Sequence, residues 1–165
     1  MSKSITPEFE AANEKYVQSF DKGHLELPPS RHVAIVTCMD ARIIPDKVLG
    51  FEEGQAHVIR NAGGRTSEAL RSLIISQQLL GTREVVVIHH TDCGMLTFSD
   101  AELRQKVRKD IDGNADHIAF LPFSNLEQSV KDDVKLLRAE PLVLDVPITG
   151  YTYDVKTGKI AKVEV

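Results

Sequence analysis

Two short runs of consecutive apolar residues interrupt an otherwise mixed pattern of hydrophobic and polar positions. Residues 33–36 read Val-Ala-Ile-Val, and residues 85–88 read Val-Val-Val-Ile. Continuous β-branched runs of this length are typical of strands buried on both faces of a parallel sheet. Two less uniformly apolar segments, at 56–59 and 142–148, predict two further strands.

The segment before the first strand has a helical pattern. Thr6 is predicted to cap this helix, in which Phe9, Tyr16 and Phe20 lie on one apolar stripe. Two prolines at 28 and 29 then form a linker. A stripe with no obvious place in a helix–sheet sandwich suggests contact with a second subunit.

Three later helices and one short one alternate with the strands. Residues 46–49 predict a short helix, and residues 67–80 predict a long one that ends at Gly81. The segments 99–102 and 124–127 both carry a capping-box signature, in which a serine precedes a glutamate by three positions. Each is predicted to begin a helix.

The C-terminal residues alternate between aromatic or aliphatic and polar positions from Tyr151 to Val155, and turn at Thr157-Gly158. This pattern predicts an antiparallel edge hairpin that runs to the C-terminus. Together the elements predict an α/β fold with a doubly wound, mostly parallel sheet and helices on both faces. We expect a single domain over 1–165, of which 1–29 are an N-terminal helix and linker arm.

The composition of the chain limits which classes of binding partner and which cellular location we expect. The 165 residues are 42% hydrophobic and 27% charged, with a net charge of −4, which argues against nucleic acid or an anionic membrane as the main partner. No apolar stretch approaches the ~20 residues of a membrane span, and the polar N-terminus lacks the apolar core of a secretory signal. We therefore expect a cytoplasmic protein.

The only two cysteines, Cys38 and Cys93, each lie in a short motif that could bind a metal. Cys38 follows the first buried strand, and the motif His90-Thr91-Asp92-Cys93 follows another. Because ligands in open α/β sheets gather beyond the carboxyl ends of strands, both motifs are expected at one rim. Two thiolates and one imidazole suit zinc, and three protein ligands leave a fourth position for a catalytic water.

Three motifs together resemble the β-class carbonic anhydrases, particularly their compact archaeal and bacterial branch. They are Cys38-Met39-Asp40-Ala41-Arg42, Arg60-Asn61-Ala62-Gly63 and the six residues His-Thr-Asp-Cys-Gly-Met from His90 to Met95. The resemblance implies reversible hydration of carbon dioxide to bicarbonate and a proton by a zinc-bound hydroxide. It also selects His90 over His89 as the third ligand beside Cys38 and Cys93.

The resemblance also implies roles for neighbouring residues. Asp40 would accept a hydrogen bond from the zinc-bound water, and Arg42 would hold Asp40 away from the metal. If that pair breaks, Asp40 can become a fourth ligand and close the site. Asn61 and Gly63 would line the substrate site near a subunit interface, in a homodimer or a dimer of dimers.

Other interpretations of the same residues remain open. The cysteines could be inert buried thiols or a redox-active disulfide, and Asp40 with Arg42 could be a solvated surface pair. Asn61 and Gly63 could simply form a turn, and Asp92 could orient a ligand or cap the turn that follows. Rival functions are hydrolysis of carbon disulfide or carbonyl sulfide, and a catalytically silent protein that binds zinc or bicarbonate as a regulator.

Overall fold

The fold is built on one five-stranded sheet, described here from a computed structural model that covers residues 4–165. The strands are β1 (Val33–Cys38), β2 (Ala56–Asn61), β3 (Glu84–His90), β4 (Ile148–Tyr153) and β5 (Ile160–Val163). Their spatial order is β2-β1-β3-β4-β5, with all neighbours parallel except β4 and β5. The predicted mostly parallel α/β sheet with an antiparallel C-terminal hairpin is therefore confirmed.

Five α-helices accompany the sheet in the described part of the chain. They are α1 (Thr6–Ser19), α2 (Pro45–Leu49), α3 (Thr66–Leu80), α4 (Asp100–Ile111) and α5 (Leu126–Ala139). Among residues 4–165 no helix is long and apolar enough to span a membrane.

The apolar runs divide between two clusters because successive strand residues point to opposite faces. On one face, Ala34 and Val36 of β1 pack with Val85 and Val87 of β3 beneath α3 and α5. On the other face, Ile35 and Ile88 join a second cluster, to which α2 contributes Val48 and Leu49. The continuous runs thus belong to strands with apolar contacts on both sides, as predicted.

The predicted strand at 142–148 is wrong. The fourth strand starts at Ile148 and uses the residues that were expected to form only the hairpin: Gly150 pairs with Val87 on one side and with Val163 on the other. Earlier in the segment the Leu144 N–H donates to the side chain of Gln77, so it is not available to a neighbouring strand. Leu142 is exposed, so the apolar run does not mark a buried strand.

Two predicted helix caps are displaced by one residue. Helix α1 begins at Thr6 itself, and the Ser4 hydroxyl accepts the Thr6 N–H at 3.3 Å. Helix α5 is capped by Asn125 rather than Ser124, because the Asn125 side chain accepts the Gln128 N–H at 2.9 Å. The Ser99 capping box of α4 is present as predicted.

Candidate metal centre

The candidate site lies where the strand order reverses. Successive strands step from β1 to β2 in one direction and from β3 to β4 in the other, so a crevice opens between the carboxyl ends of β1 and β3. Cys38 is the last residue of β1 and His90 is the last residue of β3. A tight turn, with Asp92 at φ 54°, then brings Cys93 back towards them.

The three predicted ligand residues come together at this crevice. The Sγ atoms of Cys38 and Cys93 and a ring nitrogen of His90 all lie within 4.8 Å of one another, and all three residues are buried. Among residues 4–165 this is the one cluster of histidine, cysteine and acidic side chains that meets this distance. A group of this size and donor type could hold one metal ion.

His90 is oriented so that one ring nitrogen faces the cysteines with a free lone pair. Its Nδ1 lies 2.8 Å from the Thr91 carbonyl oxygen, which only accepts, so Nδ1 carries the proton. Its Nε2 is buried and has no hydrogen-bond partner within residues 4–165. A buried polar atom without a partner calls for an explanation, and a metal bound at Nε2 supplies one.

His89 points to the opposite face of the sheet, as expected for a neighbour on a strand. Its Nδ1 lies 2.7 Å from the Ser129 hydroxyl, and its Nε2 lies 3.2 Å from the Gly64 carbonyl oxygen. The structure thus places His90, and not His89, beside the cysteines.

Each of the two cysteines affects the pKa of the other. A hydrogen bond from the Cys93 thiol is the main reason why the pKa of Cys38 falls to about 4, and the same contact raises the pKa of Cys93. The Gly63 N–H also donates to Cys38 Sγ at 3.4 Å. A soft divalent cation in place of that proton would hold both sulfurs as thiolates, so two sulfurs and one imidazole fit zinc with a fourth position open.

Asp40 and Arg42 form a tight charge-assisted pair beside this cluster. Arg42 donates from Nε and its backbone N–H to Asp40 Oδ1 at 3.0 and 2.9 Å, and from Nη2 to Oδ2 at 2.8 Å. These bonds hold the pKa of Asp40 well below its usual range. Oδ2 lies 3.7 Å from His90 Nε2, so the carboxylate borders the cluster.

The same guanidinium reaches a second carboxylate. Arg42 Nη1 donates to Asp92 Oδ2 at 2.7 Å, and Nη2 donates to the Asp92 carbonyl oxygen at 3.0 Å. Asp92 therefore joins the loops that carry Cys38 and Cys93 through Arg42. Its contacts fit neither a ligand-orienting role nor a simple cap, the two roles weighed from the sequence.

The second predicted motif braces the site through backbone contacts. Arg60 donates to the carbonyl oxygens of Cys38 and Asp40 at 2.9 and 2.7 Å. Asn61 is engaged with Arg65, whose N–H it accepts at 2.7 Å and to whose carbonyl it donates at 2.8 Å. Contact of Asn61 and Gly63 with a substrate stays a prediction.

A cleft of about 550 Å³ opens over the cluster. Its walls include the apolar side chains of Met39, Ala41, Ala62 and Met95, whereas Asp40 and Arg42 supply charge at one side. Such a cleft can bind a small apolar molecule next to a metal and a fixed carboxylate.

Sequence reasoning missed a buried polar network behind the site. Asp133 on α5 accepts from Arg65 Nη2 at 2.9 Å and from the Thr66 N–H at 3.0 Å, and its Oδ2 lies 3.3 Å from His89 Nε2. A signal was present, because Asp133 shares the face of α5 that carries Val130 and other core residues. A charged residue on an apolar helix face marks a buried polar contact.

Comparisons with known proteins identify relatives of this chain. A family model described as carbonic anhydrase matches residues 33–160. Beta-carbonic anhydrase 1 of Mycobacterium tuberculosis is 42% identical over 162 residues, which are 97% of this chain and 98% of that protein. The solved structure of carbonic anhydrase from Glaciozyma antarctica is 51% identical and superposes with a TM-score of 0.91, over 98% of this chain and 100% of that chain.

A relative with a different printed activity also matches. Carbon disulfide hydrolase of an Acidianus strain is 34% identical over an alignment of 161 positions that covers 82% of this chain and 79% of that protein. The family match over residues 33–160 and the near-complete coverage of the first two relatives show that this chain belongs to the β-carbonic anhydrase family.

Proposed function

We propose that this protein catalyses the reversible hydration of carbon dioxide to bicarbonate and a proton, with zinc held by Cys38, His90 and Cys93. The observation that carries the proposal is the convergence of these three side chains within 4.8 Å, next to a largely apolar cleft that Cys38 and Cys93 line. Zinc bound there would act as a Lewis acid that lowers the pKa of water and so supplies a nucleophile near neutral pH.

The chain's own residues would direct that nucleophile. Asp40 is held ionised by Arg42, so its Oδ2 can only accept a hydrogen bond. It would therefore orient one hydrogen of a water at the metal site and leave an oxygen lone pair of that water free to face the substrate. If the hydrogen bonds from Arg42 to Asp40 broke, the same Oδ2 could become the fourth metal ligand and block turnover. This is the closed state implied by the resemblance.

The cleft would bind carbon dioxide mainly by exclusion of water. Met39, Ala62 and Met95 offer no hydrogen bond, which suits a linear molecule without a net dipole. Gly63 lines the same cleft, and we propose that it borders the substrate, whereas Asn61 acts through the turn that it holds at Arg65.

The proposed assembly is a homodimer or a dimer of dimers. Helix α1 buries none of its residues in the described chain, and Phe9, Tyr16 and Phe20 are 63%, 49% and 49% exposed. Apolar surface of this kind is normally covered by a partner, and a second copy of the chain is the simplest one.

The alternative substrate is carbon disulfide or carbonyl sulfide, favoured by the 34% identical carbon disulfide hydrolase. Both are linear isosteres of carbon dioxide, and the apolar cleft offers no group that would reject sulfur. Only measured turnover separates these activities.

The deciding experiment compares substrates on one zinc-loaded preparation. Stopped-flow hydration of carbon dioxide is measured beside release of sulfide from carbon disulfide, with Cys38→Ser as the inactive control. Preferential hydration of carbon dioxide supports the proposal, and preferential sulfide release overturns it in favour of the alternative. Bound zinc with neither activity would favour a regulator, and two oxidisable thiols with no metal would favour a redox sensor.

A further inference from the structure

We infer that Asp133 is a positioning residue for the metal centre, acting on Cys38 through His89 and the glycine turn, residues Ala62–Gly64. The inference rests on the proposed zinc site. Asp133 lies on α5 and touches none of the three ligand residues, yet its side chain is 1% exposed, accepts from two donors and lies 3.3 Å from a third polar group, His89 Nε2.

The carboxylate of Asp133 joins three separate parts of the fold. Its Oδ1 accepts from Arg65 Nη2, and its Oδ2 accepts the backbone N–H of Thr66 at the start of α3. The Thr66 hydroxyl donates to the Asp133 carbonyl oxygen at 3.1 Å. Because Arg65 and Thr66 directly follow the glycine turn, the turn is anchored at its exit by Asp133.

A second route reaches the turn through His89. Both the Gly64 carbonyl oxygen and Asp133 Oδ2 face His89 Nε2, at 3.2 and 3.3 Å. Since both are acceptors, Nε2 carries the proton, which it donates to the Gly64 carbonyl oxygen, and Asp133 Oδ2 is a negative charge beside that N–H. The ring is held from its other side by Ser129, at 2.7 Å from Nδ1, and Phe123 stacks on its face. The charge of Asp133 therefore favours the tautomer of His89 whose Nε2 hydrogen binds the turn.

The position of the glycine turn determines which groups contact Cys38. Gly64 approaches the end of β1 so closely that a Cβ would lie 2.9 Å from the Thr37 carbonyl carbon and 3.0 Å from the Cys38 nitrogen. One residue earlier, the Gly63 N–H donates to Cys38 Sγ. A hydrogen bond to a ligand sulfur fixes its direction and withdraws charge from it, and outer partners of this kind typically contribute about 10–100-fold to metal affinity.

Replacement of Asp133 by asparagine tests the inference with little change of shape. An amide has only one acceptor oxygen, so its NH₂ group must face either Arg65 or the Thr66 and His89 donors. We expect Asp133→Asn to lower zinc affinity by about tenfold or more, measured by competition with a chromophoric chelator. We also expect the sulfur-to-cobalt charge-transfer absorption of the cobalt-substituted protein to shift, because the hydrogen bond from the Gly63 N–H to Cys38 Sγ changes. Ser129→Ala should shift both readouts in the same direction by a smaller amount.

Two control variants separate positioning from general loss of stability. Asp132→Asn changes the exposed neighbour, which binds only Gln128 among the described contacts. Val134→Ala opens a cavity in the core beside α5 and lowers stability without a change in the polar network.

Parent-like zinc affinity and cobalt absorption in both Asp133→Asn and Ser129→Ala would overturn the inference, as would an equal shift in Val134→Ala. These readouts do not depend on turnover: if the parent binds zinc but hydrates no carbon dioxide, the proposed function falls and this inference stands. A parent chain that binds no zinc would overturn both.

Discussion

Arg42 donates hydrogen bonds to both carboxylate oxygens of Asp40, at 2.8, 2.9 and 3.0 Å, although only one residue separates the two in the chain. The arrangement is bidentate, which a lysine could not reproduce. It leaves the carboxylate ionised and fixed at 3.7 Å from His90 Nε2, at the edge of the proposed zinc site.

The first prediction concerns that pair. Arg42→Ala should reduce kcat/KM for carbon dioxide hydration by about 10–100-fold while zinc stays bound, because Asp40 loses its orientation but no ligand is removed. Arg42→Lys should restore little, since an ammonium cannot bridge both oxygens. Asp92→Asn is the matched control: it removes the other carboxylate on Arg42 and should stay within about twofold of the parent in kcat/KM, as expected for an exposed pair. Hydration by Arg42→Ala at the parental rate would show that the pair has no catalytic role.

The metal content follows from the ligand cluster. We expect one zinc per chain, bound by Cys38, His90 and Cys93, in protein purified without chelator. Cys38→Ser and Cys93→Ser should each lose most of it, because a hydroxyl is a poor substitute for thiolate at zinc. Met39→Leu, next to Cys38 but exposed, should keep it. Elemental analysis provides the measurement, and full zinc content in both serine variants would refute the ligand assignment.

The proposed assembly can be tested on α1. The parent should sediment as a dimer or larger species, and Phe9→Asp combined with Phe20→Asp should shift it towards monomer, because charge on the apolar stripe opposes burial. Ile111→Asp is the control, since Ile111 is 75% exposed on α4 and lies outside the stripe. A stable, active monomer of the parent at micromolar concentration would contradict the prediction.

Gly64 in the glycine turn should not tolerate a side chain. Gly64 has φ 69°, and every atom that a Cβ would approach within 3.1 Å belongs to the backbone of β1 or β3. Gly50, at φ 65° with open space around it, isolates the conformational cost, which is about 1–2 kcal/mol for an L-residue in that region. We expect Gly50→Ala to lose about that much stability in denaturant unfolding and Gly64→Ala to lose clearly more. Equal losses would mean that the close approach at Gly64 costs nothing.

The pH dependence follows from the ligand charges. Two thiolates cancel the formal charge of Zn²⁺, so the pKa of water at the centre should fall less than at a site with three imidazoles, where it is about 7. Asp40 does not oppose this expectation: Arg42 holds its pKa well below the usual range, so it remains a carboxylate at neutral and at mildly acidic pH. As pH falls below neutral, ligation of the metal by this carboxylate in place of water would further suppress activity. Hydration should therefore rise from neutral into alkaline pH. A kcat/KM profile already at its plateau at about pH 6 would refute the charge argument.

Local patterns were sufficient for the strands and turns that depend on neighbouring residues. The runs before Cys38 and His90 predicted β1 and β3, and Gly81 predicted the end of α3, because continuous β-branched residues and a left-handed glycine act over a few positions. The same rules failed at 142–148, where the chain is also largely apolar. There the side chain of Gln77, 67 positions earlier, takes the Leu144 N–H that a strand would need.

The features of the candidate site also fall into those that the sequence shows and those that depend on the tertiary structure. The cysteines, the histidine pair and the Asp40–Arg42 motif are visible in the sequence, and so is the donor set that suits zinc. Which histidine faces the sulfurs depends on the pleat of β3 within the sheet, and the link from Asp133 to Cys38 depends on how α5 packs over the glycine turn. These contacts join residues far apart in the chain. They arise only once burial has brought α5, β3 and the end of β1 together, so no local pattern encodes them.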